Sequence, residues 1–422
     1  MPLDTIILPR RAFLSGVGAA ALAAGLPRIV LADAPTDKRF VLIILRGAMD
    51  GLNVVPPYGD PNYAALRAQI AIARPGETDG ANDLNGFFGL HPALAEIAPW
   101  YKEGALLPVH AVASPYRDRS HFDGQDVLEN GMLSPRDTQS GWLNRALTAL
   151  GGANGGGGDR RIGLAVGQTI PLALRGPTQV ASWAPTRMPE ANDSFLTLVQ
   201  AVYQNDKLLS AALVDGIRAT AAADQAIGAA SAPIANAGMA DADDGKPNQY
   251  KAQKALAEAA GKMLADPNGP RIAAFDTQGW DTHAAQGGAK GRLANALGGL
   301  QASLVSLRAA LGPVWKDTVV LMATEFGRTA HVNGTNGTDH GTATAALLAG
   351  GAVAGGKVLG EWPGLSETQL YQSRDLMPTT DLRAVIKTVL YEHLGVSRDR
   401  LDGFVFPNSS DARVLKGITR SA

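Results

Sequence analysis

The chain has 422 residues and is 45% hydrophobic, enough to build one large α/β domain or two smaller ones around a sizeable core. Lys and Arg number 38 against 39 Asp and Glu, so the basic excess of a nucleic-acid-binding protein is missing. With no cysteine, disulfides, thiolate metal ligands and a cysteine nucleophile are excluded.

The first segment reads as a leader rather than as part of the fold. Pro9-Arg10-Arg11-Ala12-Phe13-Leu14 resembles a twin-arginine export signal, and an Ala- and Gly-rich apolar stretch follows over 16–26. That stretch is too short to span a bilayer, which takes ~20 strongly apolar residues. Small residues near Ala32 and Ala34 fit a cleavage site, with cleavage after Ala32 favoured because the alternative leaves Pro35 at the new terminus. The expectation is a signal over 1–34, the twin-arginine translocase as a partner during export, and a periplasmic or secreted protein. No basic amphipathic stretch suggests a stable membrane anchor.

From 35 onward, apolar runs alternate with helical patterns, as in an α/β domain. Phe40 to Leu45 is a continuous apolar run, expected as a strand covered on both faces, and Gly47-Ala48-Met49-Asp50-Gly51 turns after it. His91 to Glu103 predicts an amphipathic helix, Leu106 to Ala113 a strand, Ser120 to Asn130 and Trp142 to Leu150 helices. A glycine-rich loop through Gly158 has the composition of a linker. Ile162 to Leu174 predicts two short strand-like pieces. The Ala-rich stretch 192–266 predicts a helical insertion broken near Ala232-Pro233 and Asp243-Asp244-Gly245, either capping the site or serving as plain scaffold. A strand from Arg271, a long helix from Gly288 to Leu311, strands at Thr318–Thr324 and Thr342–Leu348, and a helix from Asp381 to Leu394 complete the layout.

Residue types that bind metals recur just after the apolar runs. Asp50 follows the first, Ser120-His121 the second, Asp276, Asp281 and His283 the third, and Glu325 the fourth, with Asp339-His340 in the next loop. Loops at the carboxyl ends of parallel strands meet in one crevice. Carboxylates and imidazoles gathered there suit zinc, manganese or a similar divalent ion, calcium included. Each has an ordinary alternative. Asp50 is also a good turn residue, Ser120 a good helix N-cap, and His121 a hydrogen-bonded structural histidine. Arg46 and Arg328 flank the expected crevice, as oxyanion-holding forks or as solvated side chains. His91 reads as a helix-start residue and His110 as core.

Several short motifs carry a family resemblance. Arg46-Gly47-Ala48-Met49-Asp50-Gly51-Leu52-Asn53, Gly89-Leu90-His91-Pro92, Ser120-His121-Phe122, Gly279-Trp280-Asp281-Thr282-His283, Thr324-Glu325-Phe326-Gly327-Arg328-Thr329 and Gly337-Thr338-Asp339-His340-Gly341 resemble, in order, the bacterial family called domain of unknown function 1501. The family is similar in fold to the alkaline phosphatase and sulfatase superfamily. The resemblance implies a three-layer α/β sandwich with a mostly parallel central sheet and a helical insertion. It also implies metal ligation by Asp50, Asp281, His283, Glu325 and His340, with Asp276 and Asp339 as further ligands or supporting groups. Ser120 matches the superfamily's nucleophile, and His121 a ligand or a general acid. Phe326 stands where an adjacent Asp-His pair is expected, so one of two metal sites is incomplete. Two functions follow as expectations: metal-dependent hydrolysis of a phosphate or sulfate ester, with a small anionic ester as substrate, or a catalytically impaired envelope binding or assembly protein that keeps the fold.

Overall fold

Strand β1 (Arg39–Leu45) is buried along its whole length, and its side chains alternate between two interiors. Phe40, Leu42 and Ile44 enter one apolar cluster, Val41, Ile43 and Leu45 the other. A strand with solvent on neither face needs a helical layer on both sides, and that requirement produces the three layers. The computed structural model describes residues 36–152, 162–184, 193–206, 209–210, 213–214 and 247–420. The leader with Arg10 and Arg11, and the expected break near Ala232-Pro233, lie outside the described residues.

The strands that join β1 in the central sheet are β2 (Leu106–Ala113), β3 (Gly163–Val166), β4 (Ala181–Trp183), β5 (Ile272–Thr277), β6 (Thr318–Ala323), β7 (Thr344–Ala349) and β8 (Thr380–Asp381). They form one eight-stranded sheet in the order β8-β2-β7-β6-β1-β5-β3-β4. β1 pairs in parallel with both β5 and β6, and β7 alone runs antiparallel, between β6 and β2. The expected mostly parallel sandwich is therefore the architecture observed.

One face carries α4 (Pro247–Ala265) and α5 (Arg292–Leu311), which pack on each other and bury Ala257, Ala260, Leu264, Leu293, Leu297 and Leu304. α4 comes from the stretch read as an insertion, and its burial makes it a scaffold helix of the layer. The described remainder of that stretch holds α3 (Asp193–Tyr203). The other face carries α1 (His121–Asn130), α2 (Trp142–Leu147) and α6 (Leu382–Thr388). Asp381 caps α6 by accepting from the Arg383 backbone N–H, and all seven residues of that helix are buried. Among the described residues, no helix is long and apolar enough to cross a membrane.

Three local readings change. His91 to Glu103 is not one helix but a 3-10 turn, Pro92–Leu94, and a short helix, Pro99–Lys102. Pro99 removes the amide that a continuous helix would need there. Only Gly163–Val166 of the two pieces expected over 162–174 is a strand; Leu172–Leu174 is a 3-10 turn. β4 and β8 are edge strands of three and two residues, too short for an apolar period to reveal.

The buried histidines outside the crevice are structural. His91 Nδ1 accepts from the Ala93 N–H and Nε2 donates to Gly288 O (3.0 Å each). His110 does the same between Ala111 N–H and Val55 O (2.9 Å each), and His393 Nε2 meets Arg39 O at 2.8 Å. Burial lowers all three to about 4. Their unfolded counterparts titrate near ~6.5. Between those values the unfolded chain binds more protons, so stability is full above pH ~6.5 and falls as pH drops toward ~4. The loss is on the order of 3 kcal/mol per histidine at the low end. Denaturant melts at pH 7, 5.5 and 4.5 should show a steep decline, and His110→Gln should flatten it. A stability independent of pH over that range would refute the assignment.

Candidate metal centre

Five loops reach the same edge of the sheet. Those after β1, β2, β5 and β6 arrive there because these strands run parallel. The loop before β7 arrives because β7 runs the other way. At this edge His121, Asp281, His283 and His340 place one ligand atom each within 4.8 Å of one another. His121 opens α1 after β2, Asp281 and His283 follow β5, and His340 precedes β7.

Each imidazole is held from behind. His121 Nδ1 lies 2.7 Å from Glu325 Oε1, His283 Nδ1 3.1 Å from Asp339 Oδ1, and His340 Nδ1 2.8 Å from Arg119 O. All three partners are acceptors, so Nδ1 is the nitrogen that donates in each ring and Nε2 is the one turned inward. His283 Nε2 and His340 Nε2 stand 2.8 Å apart. His121 Nε2 is buried, makes no hydrogen bond and lies 3.5 Å from Asp281 Oδ2. Asp281 Oδ1 is 3.2 Å from His283 Nε2 and 4.0 Å from His340 Nε2. Two facing lone pairs and an unpartnered buried nitrogen repel or cost free energy unless a proton or cation lies among them. A tetrahedral ion with bonds of ~2.0–2.1 Å keeps its ligands ~3.4 Å apart, which these separations bracket. The four residues fit one divalent cation.

The electrostatics agree. The carboxylates of Asp281 and Glu325 raise His121 to about 9. Burial pushes Asp281 up, but the nearby His121 imidazole and the Arg328 guanidinium, which donates to it, outweigh burial and hold the carboxyl well below its usual range. Burial likewise opposes ionisation of Glu325, and hydrogen bonds from His121, Thr324 and Gln125 keep it ionised. Burial and nearby cations lower His340. A proton on His121 thus compensates the carboxylates, and a bound cation would take over that role and release it.

Other residues expected at the site are placed differently. Glu325 is fully buried and accepts from Gly47 N–H (2.9 Å), Thr324 Oγ1 (2.8 Å) and Gln125 Nε2 (3.2 Å) besides His121. It orients a ligand and is not one of the converging four. Asp339 plays the same part behind His283 and also accepts from Asn333 Nδ2 at 3.0 Å. Asp50 is buried, pairs closely with the Arg67 guanidinium and accepts from Gln286 Nε2 at 2.6 Å. Its Oδ2 is taken up by Arg67 and Gln286, and Asp50 is not among the four groups whose ligand atoms converge. Asp276 pairs with Arg46, whose Nη1 also donates to Glu129 (2.8 Å) and Gln125 (3.0 Å). The Arg46 charge is met by two carboxylates.

Arg328 is buried and spends its donors on the protein: Ala48 O (2.7 Å), Thr338 O (3.0 Å), Gly47 O, and Asp281 Oδ1 (2.5 Å). It braces the loops and cannot serve as an oxyanion fork. Ser120 occupies the N-cap position of α1, but its hydroxyl makes no cap hydrogen bond. Phe326 stacks on His121 (5.1 Å between centroids) and lies 5.2 Å from His340. It walls the cluster with a ring instead of offering a ligand. A Cβ at position 124 would sit 2.9 Å from that ring, so Gly124 lets α1 approach. Gly47, at φ 122°, admits the Asp281 backbone, which a Cβ there would meet at 2.6 Å.

Sequence reasoning did not find Arg67, Gln286, Gln125 or the Arg119 carbonyl. Gln286 Oε1 accepts from Thr282 and Thr338 (2.8 Å each), so one amide joins three loops. An isolated Gln or a backbone carbonyl carries no motif, so nothing in the chain marks them.

The family model described as "Protein of unknown function (DUF1501)" matches residues 91–403. No curated protein matches the sequence. Among solved structures, the chain is similar to a phosphonate monoester hydrolase of Agrobacterium radiobacter, at 12% identity and a TM-score of 0.35, covering 87% of this chain and 74% of that one. It is also similar to a 2-O GAG sulfatase, at 11% identity and a TM-score of 0.30, covering 76% and 66%.

One divalent ion per chain is the expected stoichiometry. Metal analysis after dialysis against zinc or manganese should return about one equivalent in the wild type, and His283→Ala or His340→Ala should remove it. Glu325→Gln, which leaves all four ligands, should weaken binding ~10- to 100-fold. Two equivalents, or none in any preparation, would contradict the geometry.

Proposed function

The chain belongs to the DUF1501 family of proteins of unknown function, and from that premise we propose that it is an exported, metal-dependent hydrolase of phosphate or sulfate esters. The observation that carries the reading is the convergence of three imidazole Nε2 atoms on Asp281, each ring held from behind by an acceptor. A donor set with three nitrogens suits zinc or manganese and disfavours calcium, which takes oxygen ligands.

His121, Asp281, His283 and His340 hold the cation, which when bound supplies Lewis acidity toward an ester oxygen. Ser120 directly precedes one ligand and opens α1, whose first amides and dipole favour an anion. Its uncapped hydroxyl is the nucleophile in this reading, and the substrate is a small anionic ester. Glu325 keeps the His121 Nδ1 proton in place, so the ring cannot turn its lone pair away. Arg328 holds Asp281 by one carboxylate oxygen. Phe326 excludes water and a second ligand from one side, so two-cation in-line chemistry is not built here.

Phe326 also favours a second reading, an envelope binding or assembly protein with impaired catalysis, because a ring replaces an expected ligand. A screen of phosphate and sulfate mono- and diesters with added zinc or manganese separates the two. The hydrolase reading expects turnover that falls by orders of magnitude in His283→Ala and His340→Ala. Ser120→Ala should fall as far if the serine attacks. If it only opens the helix, the change costs ~1 kcal/mol of stability at most and leaves turnover intact. No turnover in the wild type with any ester would move the assignment to the binding protein.

Export is tested separately, since Arg10-Arg11 motivates it. Replacing both with Lys should leave uncleaved precursor in the cytoplasm. A double variant that reaches the periplasm at normal yield would end the twin-arginine assignment, and with it the proposed periplasmic or secreted location.

A further inference from the structure

We infer that Arg119 is a positioning residue for the metal centre, acting through its backbone carbonyl on His340. The inference rests on the metal reading above. Of the three rings, His121 and His283 are backed by carboxylates, whereas His340 is backed only by a main-chain carbonyl, Arg119 O, at 2.8 Å. A carbonyl on a loop orients a ligand only if the loop itself is held, and Arg119 is held in an unusual way.

Its φ is 59°, in the left-handed region that a non-glycine side chain with a Cβ normally avoids. Strain of that kind persists where the surroundings over-determine the backbone. Here the guanidinium provides the restraint. Arg119 Nε and Nη2 both reach Asp375 Oδ2, at 3.0 and 2.7 Å, and Nη2 also donates to Gln372 Oε1 at 2.8 Å. Asp375 is fully buried, accepts from Thr342 Oγ1 at 2.8 Å and pairs with Arg374 at 3.2 Å. Thr342 lies two residues beyond His340, so Asp375 grips both the loop that carries the ligand and the arginine that orients it. None of these side chains touches the four ligand atoms. The effect of Arg119 on a cation passes through the hydrogen bond from His340 Nδ1 to Arg119 O, and Asp375 adds a second hold on the same loop through Thr342.

The test uses the full chain and the metal alone. Arg119→Gly keeps the carbonyl and suits φ 59° without strain, but removes the guanidinium. Asp375→Asn removes the charge it meets. Zinc affinity is measured by competition with a chelator, and cobalt(II) is titrated to read the visible d–d bands, which report ligand geometry. Thermal midpoints are taken without metal. The expected result is a ~10- to 100-fold loss of zinc affinity in both variants, with shifted cobalt bands and a metal-free midpoint within a few degrees of wild type. Arg119→Lys, with one ammonium in place of the fork, should recover part of the affinity. Wild-type affinity and bands in Arg119→Gly would overturn the inference. So would a collapse of its metal-free midpoint, which marks a general prop. A wild-type chain that binds neither ion overturns the metal reading itself.

Discussion

The crevice depends on one buried guanidinium. Arg328 reaches the loop after β1 through Gly47 O and Ala48 O, the loop after β5 through Asp281, and the loop before β7 through Thr338 O, while standing itself after β6. Each carbonyl it meets is withdrawn from water and would otherwise be unsatisfied, so no single bond can be given up cheaply. A charged fork with five donors is the one side chain able to join that many acceptors at fixed angles. The metal-ligand loops can be irregular because their common brace is not.

Around that brace the cluster is built from pairs in which one group faces the crevice and another aims it. Glu325 aims His121, Asp339 aims His283, and the Arg119 carbonyl aims His340. A neutral imidazole has one lone pair, and the protonated nitrogen decides where it points. The same economy appears beside the centre without a cation. Arg67 meets Asp50, donates to Asn53 Oδ1 at 3.1 Å and reaches Thr329 O at 2.9 Å, filling with a guanidinium a position that the sequence suggested for a metal. Breaking such a buried pair by removing one partner costs ~3–5 kcal/mol, so Asp50 and Arg67 serve the loop's shape.

The legible parts of the fold were those with long apolar runs. Arg39–Leu45 and Thr318–Ala323 are buried on both faces, and their composition alone separates them from amphipathic helices. Three-residue Ala181–Trp183 and two-residue Thr380–Asp381 carry too few residues for any period, and their pairing with β3 and β2 comes from the register of neighbours. The helix expected over 91–103 had the right spacing of apolar residues. It was broken at Pro99, whereas His91 does open the first turn, its Nδ1 accepting from the Ala93 N–H. The direction of β7 was also not legible, because an apolar strand reads the same both ways, yet that reversal brings His340 to the ligand edge.

By itself the sequence determined the α/β layers, the absence of thiolate chemistry, and which short segments carry metal-binding side chains, because strand burial and residue chemistry are local properties. It placed Asp281, His283 and His340 in loops that the structure brings together. Only the tertiary structure decided which of these groups converge and which stand behind them. Asp50 and Glu325 are carboxylates next to the same crevice, but a guanidinium meets one and an imidazole the other, and those partners come from positions 17 and 204 residues away in the chain. His121 could not be separated from a structural histidine until its Nδ1 was seen to face Glu325. The direction of a lone pair depends on what lies behind the ring, and that is a fact of packing that no spacing along the chain contains.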